Sequence, residues 1–342
     1  MAHGYRHNAY VAISGANESG YNGSFLITYV DANTFTYVPD TAPTVFTATG
    51  TLSSKVAPAG FTKPYSGTQL AVYRQPVGTS CGFYLDVDDN QVQDAHVRAY
   101  EVMTGLGAGT APFPTVAQVS SGGIYKSNTL LTTKARPWIC ITNGKSFYFW
   151  NNPNETAGLG TPRGSLFFFG DYDSYVPGDT SNCAIRRPYG IGDNSGTSML
   201  QTGLGNYGAY HARAANGSVQ SVITCSLNPE QAALYHPYGY AYGNLNRLTY
   251  YPEPVTGKLF LSSVPVSEML VSYGSRITLH GKYPGFYISH SDLTGFATGS
   301  IISGTGDLAG REFMTFFLGD TQDSVSIGEN IIIFLVEVSQ TW

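Results

Sequence analysis

Apolar and polar residues alternate with a period of two along most of the chain, and helical spacing is scarce. Phe25, Ile27 and Tyr29 share one face over residues 24–30, and Phe35 and Tyr37 share one over 34–38. Residues 10–14 make a further strand, set off by a Gly- and Asn-rich turn at 15–23. Such spacing predicts half-buried strands. The densest apolar stretch is 136–172, where Asn143-Gly144 separates two apolar runs. Asn-Gly tolerates φ > 0 at both central positions of a type I′ hairpin turn. A two-residue loop there sets Thr142 opposite Lys145, Cys140 opposite Phe147 and Trp138 opposite Phe149. The other face carries Ile139 with Tyr148 and Ile141 with Ser146. Both faces are largely apolar, and so is the run 165–170, SLFFFG, after a Gly- and Pro-rich loop. A meander of this kind is buried on both faces, between two layers or between one layer and another chain.

Further strands are expected at 70–74, 83–87, 93–103, 218–226, 259–264 and 331–338. Residues 53–65, with two prolines, read as a linker, and 106–113 as a loop. The Gly-rich stretch 172–210 reads as irregular, a length that points to an interaction loop. Asn228-Pro229-Glu230 has the order of a helix start, for one short helix through 235. The fold class expected is all-β and multi-domain, a small N-terminal β-module followed by antiparallel, sandwich-like β structure with long loops. Its divisions fall at 1–54, 55–257 and 258–342, the last a β segment that can pack on the central domain.

Composition sharpens this picture. The 342 residues include 40 Gly, 18 Pro, 25 Tyr and 18 Phe, but only 12% are charged, about half the usual share. So little charge beside so many aromatics protects poorly against association, and the uncharged surface is expected to be covered by partners, including further copies of the chain. A net charge of −5 argues against sequence-independent nucleic-acid binding, which needs basic patches. No apolar run is long enough for a membrane-spanning helix, and the start lacks the apolar core of a secretion signal. Cys81, Cys140, Cys183 and Cys225 lie far apart without a C-x-x-C and read as free thiols.

Signals of chemistry are few. Gly78-Thr79-Ser80-Cys81-Gly82 matches G-x-S-x-G, but that motif requires a strand before the serine and a helix after it, and a strand follows here. Asp86, Asp88 and Asn90 take the first, third and fifth places of a calcium loop, yet Gln91 stands where Gly is needed and Val97 where Glu closes the shell. A polar hairpin turn fits better. Asp171 with Asp173, or Asp320 with Asp323, could form the carboxylate pair of a glycosidase, although aspartates at strand ends usually serve turns. His3 and His7 are four apart in a terminus with Gly4, a poor setting for a metal site. No cofactor and no catalysis are expected. Tyr207, Tyr210, Tyr235, Tyr238, Tyr240 and Tyr242 are the candidate interface, because rigid rings amid Gly and Asn give large contacts at low entropic cost. Protein partners come ahead of glycans.

Several segments carry a resemblance. The set Val11 to Gly15, Gly20 to Thr28, Val30, Thr34 to Tyr37 and Ala48 to Thr51 resembles a short β-module of virion proteins from tailed bacteriophages and prophages. Arg136-Pro137-Trp138 with its hairpin, Pro284-Gly285-Phe286-Tyr287, Leu308-Ala309-Gly310-Arg311 and the closing β-run to Trp342 resemble features of the same group in the same order. The resemblance implies a structural role in the particle, in the tail or baseplate, with other virion proteins as partners, localisation to the virion, and no catalytic residues. A receptor- or glycan-binding tail protein, a head decoration protein and, remotely, a glycan hydrolase are the alternatives.

Overall fold

The computed structural model describes residues 3–6, 8–43, 45–119, 123–127, 136–153, 165–186, 209–214, 217–224, 251–270, 276–293, 295–318 and 332–339. The fold is all-β. Among the described residues the regular elements are antiparallel strands and two single-turn 3-10 helices, Ser19–Tyr21 and Gly306–Leu308. The chain divides into two compact units, Met1–Ala59 and Gly60–Trp342.

The first unit is one sheet of β1 (Tyr10–Ala16), β2 (Gly23–Asp31), β3 (Thr34–Tyr37) and β4 (Gly50–Val56), in the order β3-β2-β1-β4. Its alternation places Val11, Ile13, Phe25 and Ile27 in a small core, with Tyr5, Phe35 and Tyr37 packed on it.

The second unit opens with a six-stranded sheet. Its strands are β5 (Thr62–Gly67), β6 (Leu70–Arg74), β7 (Tyr84–Asp88), β8 (Asp94–Gly105), β9 (Ala108–Phe113) and β10 (Gly123–Tyr125). The order is β10-β8-β7-β6-β5, with β9 pairing β8. A twelve-stranded sheet follows. Its first half is β11 (Trp138–Thr142), β12 (Ser146–Asn151), β13 (Ser165–Asp171), β14 (Asp173–Ser174), β15 (Cys183–Arg186), β16 (Ala209–Arg213) and β17 (Val219–Thr224). The second half is β18 (Leu261–Leu270), β19 (Arg276–Ser289), β20 (Ile301–Ser303), β21 (Glu312–Leu318) and β22 (Ile332–Glu337). The path runs β11-β12-β13-β15-β16-β17-β18-β19-β22-β21-β20. Because β14 follows directly on β13 yet pairs β19, the sheet turns back and closes over its own interior.

That closure explains the doubly apolar meander. Tyr148, Trp150, Leu166 and Phe168 point into the closed interior with Val266, Tyr283, Phe286, Phe316 and Phe334. Tyr148 stacks on Phe286 at 5.1 Å, and its hydroxyl donates to the Pro284 carbonyl at 2.9 Å. The alternate residues Phe147, Phe149, Phe167 and Phe169 pack against Leu85, Val97 and Phe113 of the six-stranded sheet and Phe83 just before β7. Both faces are therefore covered by the same chain.

The hairpin register differs from the sequence expectation. Cys140 pairs Phe149, Thr142 pairs Phe147 and Trp138 pairs Asn151, a slip of two residues that keeps every side chain on its expected face. Trp138 still stacks on Phe149 at 6.1 Å. The two loop residues are Gly144 and Lys145, and only Gly144 of the Asn-Gly pair has positive φ, at 85°. Asn143 is more useful just before the turn, where its Oδ1 accepts from the Lys145 and Ser146 N–H groups at 2.9 and 2.8 Å. A Cβ on Gly144 meets nothing within 4 Å, so Gly144→Val carries backbone strain alone. Urea unfolding should show a loss of about 1–2 kcal/mol.

Three further expectations are corrected. The supposed linker 53–65 contains most of β4 and the start of β5, both edge strands. At the edge the missing N–H of Pro64 is tolerated, and the register shifts between Thr62 and Tyr65. The supposed loop 106–113 holds β9, whose weak AGTAPF sequence is recruited by pairing with the twelve-residue β8. The stretch 172–210 is not irregular throughout, since β14, β15 and the start of β16 lie within it. The short helix expected at 228–235 falls outside the described residues.

Candidate functional site

A polar, largely buried locus lies where the 75–83 connection meets the end of β13. Gln75, 1% exposed, donates through Nε2 to Asp171 Oδ1 at 2.6 Å and to the Lys145 carbonyl at 2.7 Å. Its Oε1 accepts from Phe83 N–H at 3.1 Å. The Cys81 N–H donates to Asp171 Oδ2 at 3.2 Å, and Cys81 Sγ donates to Asn182 Oδ1 at the same distance. One side chain thus ties the hairpin turn, the β6–β7 connection and β13 together. Burial raises the Asp171 carboxyl above its usual range, opposed by the donors from Gln75 and Cys81. Burial, and then the Asp171 charge, push the Cys81 thiol up, and burial does the same to Cys183. Thiols held protonated are poor nucleophiles. The locus fastens two sheets.

The sequence signals of chemistry fall into scaffold roles. Ser80 Oγ donates to the Pro76 carbonyl at 2.6 Å and accepts from Gly82 N–H at 3.3 Å, in a turn that feeds β7 rather than a helix. Asp88 Oδ1 accepts from the Asn90 N–H and side-chain amide at 3.0 and 2.7 Å, and Asp89 pairs with Lys126. This is the polar turn preferred above. Asp173 stands 3.9 Å from Lys282 Nζ, while Asp320 and Asp323 lie outside the described residues. His3 stacks on Tyr5 at 5.1 Å with its Nε2 2.9 Å from the Asp31 carbonyl, and His7 is outside the described residues. Among the described residues, no three His, Cys, Asp or Glu side chains are gathered so as to hold a metal ion. Cys81, Cys140 and Cys183 are free thiols. Among the described residues no helix is long and apolar enough to cross a membrane.

Of the candidate interface, Tyr210 needs correction. It is 1% exposed and packs with Phe167, Phe169 and Ile185 in the chain's own core, because β16 alternates Tyr210 and Ala212 towards the six-stranded sheet. Tyr207, Tyr235, Tyr238, Tyr240 and Tyr242 lie outside the described residues. Among the described residues, the exposed aromatics that sequence reasoning missed include Trp138, 62% exposed, and Phe46, fully exposed, with Tyr10 and Tyr175 also more than half exposed. Trp138 was assigned to a core face correctly, but β11 is the sheet's edge, so the covering layer stops short of it.

Sequence reasoning also missed His211. It is fully buried, its ring 4.4 Å from that of His280 and 6.5 Å from that of Tyr172. Among the described residues, neither ring nitrogen has a side-chain or backbone partner within hydrogen-bond geometry. Burial, and then His280, lower its pKa to about 3. A histidine depressed in the folded state leaves stability intact above its unfolded pKa, about 6.5, and removes it as pH falls below that value. Between pH 7 and pH 5 the loss should be about 2 kcal/mol. Urea midpoints for the native chain and His211→Gln should show the variant lacking that pH dependence, whatever its absolute stability; equal slopes would refute the assignment.

Compared with protein-family models and with curated proteins, the chain matches none.

Proposed function

We propose that the chain is a structural component of a tailed-bacteriophage virion, in the tail or baseplate, holding neighbouring virion proteins together. The resemblance of its segments to that group motivates the reading. The observation that carries it is apolar side chains left uncovered on each unit of an otherwise well-packed β scaffold: Val38, Phe46 and Val56 in the first unit and Trp138 in the second are all more than half exposed. With so few charges on the chain to keep it apart from other proteins, such side chains are available for docking. Among the described residues, Ser80, Asp88 and Asp171 are engaged in turns and sheet junctions and Asp173 stands beside Lys282. On this reading the protein builds and does not catalyse.

Inactivating the gene in the phage should yield particles with absent or incomplete tails, seen by negative-stain microscopy. Tailed particles of normal form and infectivity would overturn the reading, and intact tails on fragile heads would favour head decoration. The second reading, a glycan-binding tail protein, rests on Trp138 stacked flat on Phe149 at an open edge, a platform suited to a sugar ring. Host surface polysaccharide binding abolished by Trp138→Ala would establish it. Release of reducing ends from that polysaccharide, lost on Asp171→Asn or Asp173→Asn, would instead make the protein a hydrolase; none is expected.

A further inference from the structure

The N-terminal unit has little interior of its own. Val11, Ile13, Phe25 and Ile27 are its buried core cluster, too few for a unit of this size to rest on burial alone. Its edge strand β4 is exposed at all seven positions, an unguarded template for another strand. The Ala57 N–H donates to the Tyr10 carbonyl and the Thr49 carbonyl accepts from Asn17 N–H. Lys55 and Ser53 therefore turn their backbone groups to β1, as Thr49 does, and Gly50, Ser54 and Val56 present theirs outward; the register to β1 shifts between Ser53 and Gly50, where Leu52 lies. The Ser54 and Val56 side chains lie on the core face. Val56 is paired with Val11 and Ser54 with Ile13, and the Tyr5 hydroxyl donates to Ser54 Oγ at 3.1 Å. Val56, 68% exposed, thus stands at the open end of the core, and Leu52 is 52% exposed.

We infer that β4 pairs antiparallel with β4 of a second copy of the chain, about a twofold axis through Ser54. The strand's own pattern selects this occupant. Centred on Ser54, Leu52 of each copy lies opposite Val56 of the other, so two apolar cross-strand pairs form and both cores continue across the seam. Lys55, the only charge in the strand, lies opposite Ser53 and never opposite its own copy. Centring one residue earlier sets Leu52 against Ser54 and Val56 against Gly50, and both apolar pairs are lost. An isologous contact of this kind closes as a dimer. The inference stands on the geometry of the edge and is independent of any role in a virion.

Sedimentation velocity on the full chain at micromolar concentration tests it. The native chain should associate, and Leu52→Lys and Val56→Glu should each weaken association at least tenfold. An equimolar mixture of the two should recover it, because one seam pair becomes Lys opposite Glu while the other stays Leu opposite Val. Ser54→Pro, which removes an outward N–H and leaves the ladder to β1 intact, should weaken association as well. All three positions are exposed, and far-UV circular dichroism should show the fold retained. A monomeric native chain, association untouched by these variants, or a mixture that fails to recover would each overturn the inference and leave the edge to a different protein.

Discussion

Gly170→Val should leave the larger unit unable to fold, and Gly170→Ala should be nearly as damaging. Gly170 sits in β13 opposite Ser146 with φ at 133°, a backbone conformation that costs any side chain dearly. Space is the larger obstacle. A Cβ there would stand 2.3 Å from Ser146 Cα and 2.5 Å from the Lys145 carbonyl oxygen. Those are backbone atoms of the first residue of β12 and of the turn residue before it; β12 is clamped between two cores, so neither partner can retreat without parting Phe147 and Phe169 from the layer above and Tyr148 and Phe168 from the layer below. The expected loss exceeds about 4 kcal/mol, a large part of a domain's stability of about 5–15 kcal/mol. Soluble yield and near-UV circular dichroism report the outcome for valine, and urea unfolding for alanine. An alanine variant within about 1 kcal/mol of the native chain would show that the strands have room that the geometry denies. Gly144, with open space around it, provides the contrast.

The contrast between those two glycines shows where sequence pattern is informative. Parity survives errors of register: the hairpin slipped by two residues, so Trp138, Cys140 and Phe149 stayed on one face and both cores were foreseeable from alternation. The turn itself was not, because Asn143 has two uses. Its backbone can take positive φ, or its side chain can satisfy two N–H groups, and only the surrounding strands decide. β4, β5 and β9 were missed because strands rich in Ser, Pro and Gly are made by their neighbours rather than by their own propensity. Tyr210 is corrected for a different reason: composition marks a tyrosine as a contact residue, whereas β16 is buried on both faces, Tyr210 and Ala212 in one core and Ala209 in the other. The Gln75–Asp171 junction joins residues 96 apart in sequence, and the His211–His280 contact is likewise non-local, so spacing has no bearing on either.

Arg311→Ala should cost about 3–5 kcal/mol, the range expected when one member of a buried ion pair is removed. Three segments singled out by their order in the sequence meet at this residue. Arg311, after the turn at Leu308 to Gly310, donates through Nε to Glu337 Oε1 at 2.7 Å and through Nη2 to Glu337 Oε2. The same Nη2 donates to the Tyr287 hydroxyl at 2.6 Å. Its guanidinium also lies 5.4 and 5.3 Å from the centres of the Tyr287 and Phe313 rings. Glu337, on β22, is 5% exposed, so loss of the arginine would strand a carboxylate in the interior. Hydrogen bonding to Glu337 holds the arginine above even its ordinary pKa, and its charge persists at every working pH. Lysine is no substitute, since it cannot supply the two-pronged contact to the carboxylate together with the ring stacking; Arg311→Lys should retain only part of the stability. Replacing both members, Arg311→Met with Glu337→Leu, removes the stranded charge and should recover most of the loss. Urea unfolding of the three variants separates the explanations. If the double variant is as unstable as Arg311→Ala, the residue acts through its packing on Tyr287 and Phe313 rather than through the pair.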